Sequence, residues 1–257
     1  NFKINKLLNK KLLNHLNPKE LFLNYPLLES LCSNYKYDVT KNSLKKLKKY
    51  KSYNLIGMGG SILGAQAIYD FLNNKIKKKF TFYDNLQSNK NFSNNGKKLN
   101  IIISKSGNTL ETFANFNLIL SRQKRNDNLI ITENKTSILN KLASKLKADV
   151  IEHKNYIGGR YSVLSEVGMI PAELMGLNEK KFKRFNYLIK NKPFKKFLVN
   201  NVLGIYKNIN QGKKNSVILN YDESLNNFLK WYQQLTAESL GKDNKGIFPI
   251  ISTMPKD

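Results

Sequence analysis

Cysteine is almost absent from this chain. Cys32 stands alone, which excludes an intrachain disulfide framework and any zinc site built on thiolates. Histidine is nearly as scarce: His15 and His153 are far apart in the sequence, so no histidine-rich metal site is expected. Long apolar runs are missing too, each being soon broken by Asn or Lys, and no segment is expected to span a bilayer. The stretch from Asn1 to Lys11 is basic but has neither an apolar h-region nor a small-residue cleavage site, so no secretory signal is read there. A lone thiol suits a reducing compartment, and a cytoplasmic location is expected.

Acidic residues are also few. Eighteen Asp and Glu stand against 44 Lys and Arg, a net charge of +26, and nucleic-acid binding is one reading of such an excess. The surplus is nearly all Lys, spread along the chain and accompanied by Asn and Ile, as an A+T-rich coding bias would produce. The basic cluster at Lys75–Lys79 lacks interleaved aromatics and that at Lys45–Lys51 holds a single one, Tyr50; no zinc finger or RNP-like run is present. No nucleic-acid role is therefore expected, although a positive field would help to collect a small anionic substrate.

What remains is ordinary globular material. The 257 residues are 40% hydrophobic and 24% charged, enough for one large or two modest domains with a buried core. The chain does not start with Met and stops at Asp257, just after an apolar segment, and is expected to be part of a longer protein. Residues 1–50 show apolar residues at helical spacing (Leu8, Leu12, Leu13, Leu16, then Leu44 and Leu47) and read as a helical lead-in. From Tyr53 short apolar runs alternate with amphipathic stretches. Strands are expected at 53–58, 80–83, 99–104, 129–132 and 150–152, with helices at 61–72, 109–120 and 138–146. Continuous apolar strands alternating with helices predict a parallel sheet covered on both faces, a three-layer α/β/α domain over 51–155. A helical connector follows over 156–210, including helices at 165–175 and 182–190. A strand at 216–220 and a helix at 225–240 then open a second, incomplete α/β domain over 211–257.

Four stretches carry candidate chemistry. Gly57-Met58-Gly59-Gly60-Ser61 falls at a strand-to-helix junction, where glycines let the backbone approach a ligand and free N–H groups favour an anion. Ile62 stands where a dinucleotide fingerprint needs its third glycine, so that motif is not met, and a tight packed turn is the alternative. Ser104-Lys105-Ser106-Gly107-Asn108-Thr109 gathers three hydroxyls and a Lys at the carboxyl end of a buried strand, the edge where open α/β sheets bind ligands. Those groups suit a phosphate monoester, an ordinary hydroxyl helix cap being the alternative. Gly158-Gly159-Arg160 would let a guanidinium project into a cleft and stabilise an oxyanion, or is simply a linking turn. In Trp231–Lys242, helical spacing puts Gln234 and Glu238 on one face and Trp231 and Leu235 on another, the latter pair reading as core. Spacing alone gives Glu238 no chemical role.

Together, IGMGGSILGA at 56–65, SKSGNTLET at 104–112, GGRYSVLSEVGMIPAELMG at 158–176 and WYQQLTAESLGKDNKGIFP at 231–249 resemble the phosphoglucose isomerase family. The last two blocks are the most specific; the first two alone resemble any sugar-isomerase (SIS) domain. The resemblance implies two SIS-type domains, each a flavodoxin-like parallel sheet, in a homodimer. It implies interconversion of glucose 6-phosphate and fructose 6-phosphate, a step of glycolysis and gluconeogenesis, without metal or organic cofactor. Position by position, Gly60, Ser61 and Gly159 would contact substrate, and Ser104, Lys105, Ser106 and Thr109 would hold its phosphate. Gln234 would position the sugar, Arg160 would stabilise the enediolate, and Glu238 would move the proton between C2 and C1. The sequence departs from many family members in having Ser-Gly-Asn between Lys105 and Thr109. The family's ring-opening His, contributed by the partner subunit, and its late Lys are expected beyond Asp257; neither His15 nor His153 matches the former. Activity on mannose 6-phosphate, or a non-catalytic SIS sensor that would need only Ser61 and the 104–109 loop, are the alternatives.

Overall fold

A computed structural model describes residues 6–86, 97–122 and 126–253. In chain order, α1 (Lys6–His15), α2 (Pro18–Asn24) and α3 (Lys41–Leu47) lead into β1 (Ser52–Ile56), α4 (Leu63–Phe71), β2 (Lys79–Tyr83) and β3 (Leu99–Ile103). Next come α5 (Leu110–Arg122), β4 (Asp127–Thr132), α6 (Ile138–Leu146), β5 (Asp149–Glu152) and α7 (Glu166–Leu174). Two short helices, α8 (Glu179–Phe182) and α9 (Asn186–Lys190), precede the long α10 (Lys192–Asn210). The described chain closes with β6 (Asn215–Asn220), α11 (Asn226–Leu240) and β7 (Phe248–Thr253). Contacts divide it into two units, one of residues 36–179 with 222–231, the other of residues 1–35, 180–221 and 232–257.

The first unit is built on a five-stranded, wholly parallel sheet of order β2-β1-β3-β4-β5. The strand–helix alternation predicts a parallel α/β sheet, and the order is the flavodoxin-like one that the family resemblance implies. Every residue of β3 is buried, as a central parallel strand flanked by helices requires. Ile56, Ile102 and Ile130 share one face and pack with Phe116 and Ile119 of α5 and Leu139 and Ala143 of α6. The alternate residues Leu55, Ile101, Ile103, Leu129 and Ile131 are buried as well. At the amino end of the strands this apolar pattern is interrupted by an amide ladder. Asn54, Asn100 and Asn128 lie in register on β1, β3 and β4, with Nδ2 of Asn54 donating to Oδ1 of Asn100 (2.8 Å) and Nδ2 of Asn100 to Oδ1 of Asn128 (2.9 Å).

In the other unit, β6 and β7 form a two-stranded parallel sheet, the βαβ pattern that a strand, the helix α11 and a further strand produce. The strand at 248–253 is not among those expected from the sequence. Pro249 lies inside it, and a proline argues against a strand unless that strand is at an edge. The single helix expected at 182–190 is instead broken by a 3₁₀ turn at Lys183–Phe185. The turn draws Lys183 inward to 3% exposure, with its ammonium 4.6 Å from the centroid of the Tyr35 ring.

Candidate functional site

In the sheet order of the first unit, β1 and β3 are neighbours, and the chain runs outward from them in opposite directions. Ligands of open α/β sheets bind at the carboxyl ends of the strands at such a switch point. Here those ends carry the two loops singled out in the sequence. The loops nearly touch: a Cβ added to Gly57 would stand 3.2 Å from the Ile103 carbonyl oxygen. After Gly57 the chain makes a 3₁₀ turn over Gly59–Ser61, with Gly59 at φ 53°. Ser61 therefore belongs to this turn rather than capping α4, whose cap position is taken by Ile62 without a side-chain hydrogen bond.

The 104–109 loop folds around its own hydroxyls. Ser104 is 1% exposed; its Oγ lies 2.8 Å from the Thr109 Oγ1 and accepts from the Gly107 N–H at 3.2 Å. Ser106 is exposed, and its Oγ accepts from the Asn108 N–H. Gly107 has φ 68°, and a Cβ there would come within 2.3 Å of the Ser137 Oγ, so only glycine fits. α6 braces this loop from behind. Ser137 caps it by accepting from the Asn140 N–H, while the N–H groups of Ile138 and Leu139 donate to the Asn108 Oδ1 and the Gly107 carbonyl, both at 3.0 Å. Lys105 differs from its neighbours in the loop. Its ammonium donates to the Asn155 carbonyl at 2.7 Å and lies 3.5 Å from the Glu133 Oε1.

The third loop meets the first backbone to backbone. A Cβ on Gly60 would stand 2.4 Å from the Gly159 carbonyl group and 2.6 Å from the Arg160 nitrogen. Ser162 secures the turn, its Oγ donating to the Gly159 carbonyl at 2.7 Å. The Arg160 guanidinium lies 4.7 Å from the centroid of the Tyr161 ring, a cation–π arrangement. The indole N–H of Trp231 donates to the Arg160 carbonyl at 3.1 Å. Trp231 reads as core in the sequence; it is half-buried and positions this turn. The available signal is the indole N–H, which normally finds a partner when it leaves water. The structure thus brings Gly60, Ser61, Ser104, Lys105, Ser106, Thr109, Gly159 and Arg160 into one unit, on three loops at and beside the switch point.

Gln234 and Glu238 belong to the other unit, one turn apart on α11. They share a face as their spacing predicts, the Gln234 Nε2 donating to the Glu238 Oε1 at 2.8 Å. The Gln234 Oε1 is buried and has no hydrogen-bond partner among the described residues. Gln233 fastens the helix to β7 through the Pro249 carbonyl at 2.7 Å. Among the described residues no three His, Cys, Asp or Glu side chains are grouped to hold a metal ion. No described helix is long and apolar enough to cross a membrane.

Residues 28–248 match the family model for phosphoglucose isomerase. The chain belongs to the phosphoglucose isomerase family. It is 36% identical over 236 residues to the glucose-6-phosphate isomerase of Methanocaldococcus jannaschii, a match covering 86% of this chain and 58% of that protein. It is 31% identical over 269 residues to the probable glucose-6-phosphate isomerase of Methanococcus maripaludis, covering 94% of this chain and 59% of the relative. The chain thus spans a little under six-tenths of the length of these two relatives. Among solved structures, a hypothetical protein from Thermus thermophilus superposes with a TM-score of 0.73 at 21% identity, covering 98% of this chain and 65% of that one. The tagatose-6-phosphate ketose/aldose isomerase of Escherichia coli gives 0.58 at 14% identity, covering 95% and 66%. These likenesses show a shared α/β fold.

Proposed function

We propose that this chain is the substrate-binding and proton-transferring part of a glucose-6-phosphate isomerase acting in glycolysis and gluconeogenesis. One observation carries the reading: a hydroxyl-rich loop, a glycine turn and an arginine turn meet at the sheet end where this fold binds ligands. Ser104, Ser106 and Thr109 supply hydroxyls, and Lys105 a charge, for the sugar phosphate. Gly159, where a side chain would meet nothing within 4 Å, leaves room for the ligand to approach backbone, and Gly60 and Ser61 present the adjoining turn to it. The Glu238 carboxylate takes the proton from C2 of the open-chain aldose and returns it to C1. The oxygens exchange a proton as the carbonyl moves from C1 to C2. Arg160 stabilises the enediolate formed between these steps, and Gln234, hydrogen-bonded to Glu238, orients both carboxylate and sugar. The cation suits this task because guanidinium remains charged throughout. No metal or organic cofactor is needed for this scheme. Ring opening is assigned to a His of the partner subunit in a cytoplasmic homodimer.

The test is a coupled assay of fructose 6-phosphate conversion on the full gene product and its Glu238→Gln variant. We expect turnover to fall by about 10²–10⁴-fold while affinity for glucose 6-phosphate stays within about threefold. Parallel loss of binding and turnover would make Glu238 structural. Binding without turnover in the parent would move the reading to a sugar-phosphate sensor, in which the phosphate loop survives and the acid–base role does not.

A further inference from the structure

We infer that Glu133 is a positioning residue that restrains Lys105 and thereby sets the affinity of the 104–109 loop for a phosphate monoester. The inference rests on the phosphate-binding role proposed above for that loop. Glu133 follows β4 directly, where β4 pairs with β3, so its place beside the loop is fixed by the sheet. The attachment is double at the backbone level. The Glu133 N–H donates to the Lys105 carbonyl at 3.2 Å, and the Thr132 hydroxyl donates to the same oxygen at 3.4 Å. With its main chain pinned to the end of β4, Lys105 has only its side chain left to move. That side chain is turned to the Asn155 carbonyl and the Glu133 carboxylate.

The carboxylate is well placed to retain it. Its side chain is 12% exposed and also pairs with the more exposed Lys135. Burial works to raise the Glu133 carboxyl, but the hydrogen bond and charge of Lys135 and the charge of Lys105 outweigh it and hold the group below the usual carboxylate range. It is therefore an anion near neutral pH. His153, which also interacts with both residues, is 1% exposed and is held below its ordinary value by burial, which favours its neutral form. An incoming phosphate must then draw Lys105 off a fixed internal anion. Glu133 also lowers the local positive potential that a dianion would feel. Both effects act against binding, so removing the charge should strengthen it. A merely structural role predicts the opposite sign.

The experiment measures dissociation constants for glucose 6-phosphate and for inorganic phosphate by calorimetry. The proteins are the parent chain, Glu133→Gln, Glu133→Ala, Lys105→Met and the Lys105→Met/Glu133→Gln double variant, with melting temperatures recorded for each. We expect both Glu133 variants to bind glucose 6-phosphate about 3- to 10-fold more tightly than the parent. In the Lys105→Met background the same Glu133→Gln change should give most of that gain no longer, because the gain is exerted through Lys105. Unchanged or weaker binding in both Glu133 variants, at a parent-like melting temperature, overturns the inference while leaving the phosphate site intact. A gain that persists fully without Lys105 also overturns it, since Glu133 would then act on the anion directly. A parent chain that binds neither probe removes the phosphate-site reading itself, and this inference falls with it.

Discussion

Gly60 and Gly159 touch, yet a methyl group would mean different things at the two positions. At Gly60 it would collide with the backbone of Gly159 and Arg160, which no rotamer change can relieve, whereas at Gly159 it would meet nothing within 4 Å. Gly60→Ala should therefore cost about 1–3 kcal/mol, read as a lowered denaturant midpoint. Gly159→Ala should leave stability within about 0.5 kcal/mol; if substrate approaches this backbone, it should raise the KM for fructose 6-phosphate severalfold. A parent-like KM would remove Gly159 from the binding set. The sequence makes these glycines visible as turn residues but cannot separate them, because their difference lies in what a distant segment places opposite each one. Glu238 is less legible still: a Glu four residues after a Gln is common on any helix, and only the longer block around it suggests a role. Trp231 passes for core in the sequence because its hydrogen-bond acceptor, the Arg160 carbonyl, lies 71 residues away.

Among the elements, α6 connects sequence to site most directly. An isolated helix start would leave its first N–H groups to water, but here they bind Asn108, Gly107 and Ser137. The helix thus braces the 104–109 loop, its first N–H groups being already occupied. Ser137→Ala should cost about 1 kcal/mol through the lost cap. It should also weaken glucose 6-phosphate binding, since the cap sits directly beneath Gly107. Loss of stability without loss of affinity would show that loop and helix move independently. The bounds of α6 agree with the expected 138–146 because an amphipathic run follows a Ser cap and ends at Lys147 with φ 50°. The five strands of the main sheet are legible for a similar reason, each being a compact apolar run. β7 is hidden by Pro249, and the break at 183–185 by a lysine whose burial against Tyr35 leaves no periodic signature.

Two consequences belong to the whole molecule. Burial holds His153 below its ordinary pKa of 6.5 in the fold. Between those two values the unfolded chain carries a proton that the native one refuses, so acidification favours unfolding. The melting temperature should therefore decline from pH 7 towards pH 5.5, and His153→Gln should flatten that slope. An equally steep slope in the variant would assign the proton uptake elsewhere. The charge of +26 acts at longer range, drawing small anions towards the surface. The association rate constant for glucose 6-phosphate, measured by stopped flow, should fall as salt rises from 20 to about 200 mM, where the Debye length drops below about 10 Å. A salt-independent rate would mean that the positive field does not reach the site.

The amide ladder across β1, β3 and β4 also has a meaning for how the sheet assembles. A slip of one residue between parallel strands turns side chains to the wrong face and is penalised by hydrophobicity alone. A slip of two keeps every residue on its proper face, and the Ile-rich pattern of β3 would barely register the error. With Asn54, Asn100 and Asn128 aligned, that same slip would set Asn54 against Ile102 and bury amides without partners, at about 1–3 kcal/mol for each. The ladder thus acts as a proofreading mark, cheap in the correct alignment and costly two residues away. It makes misaligned sheets short-lived during folding.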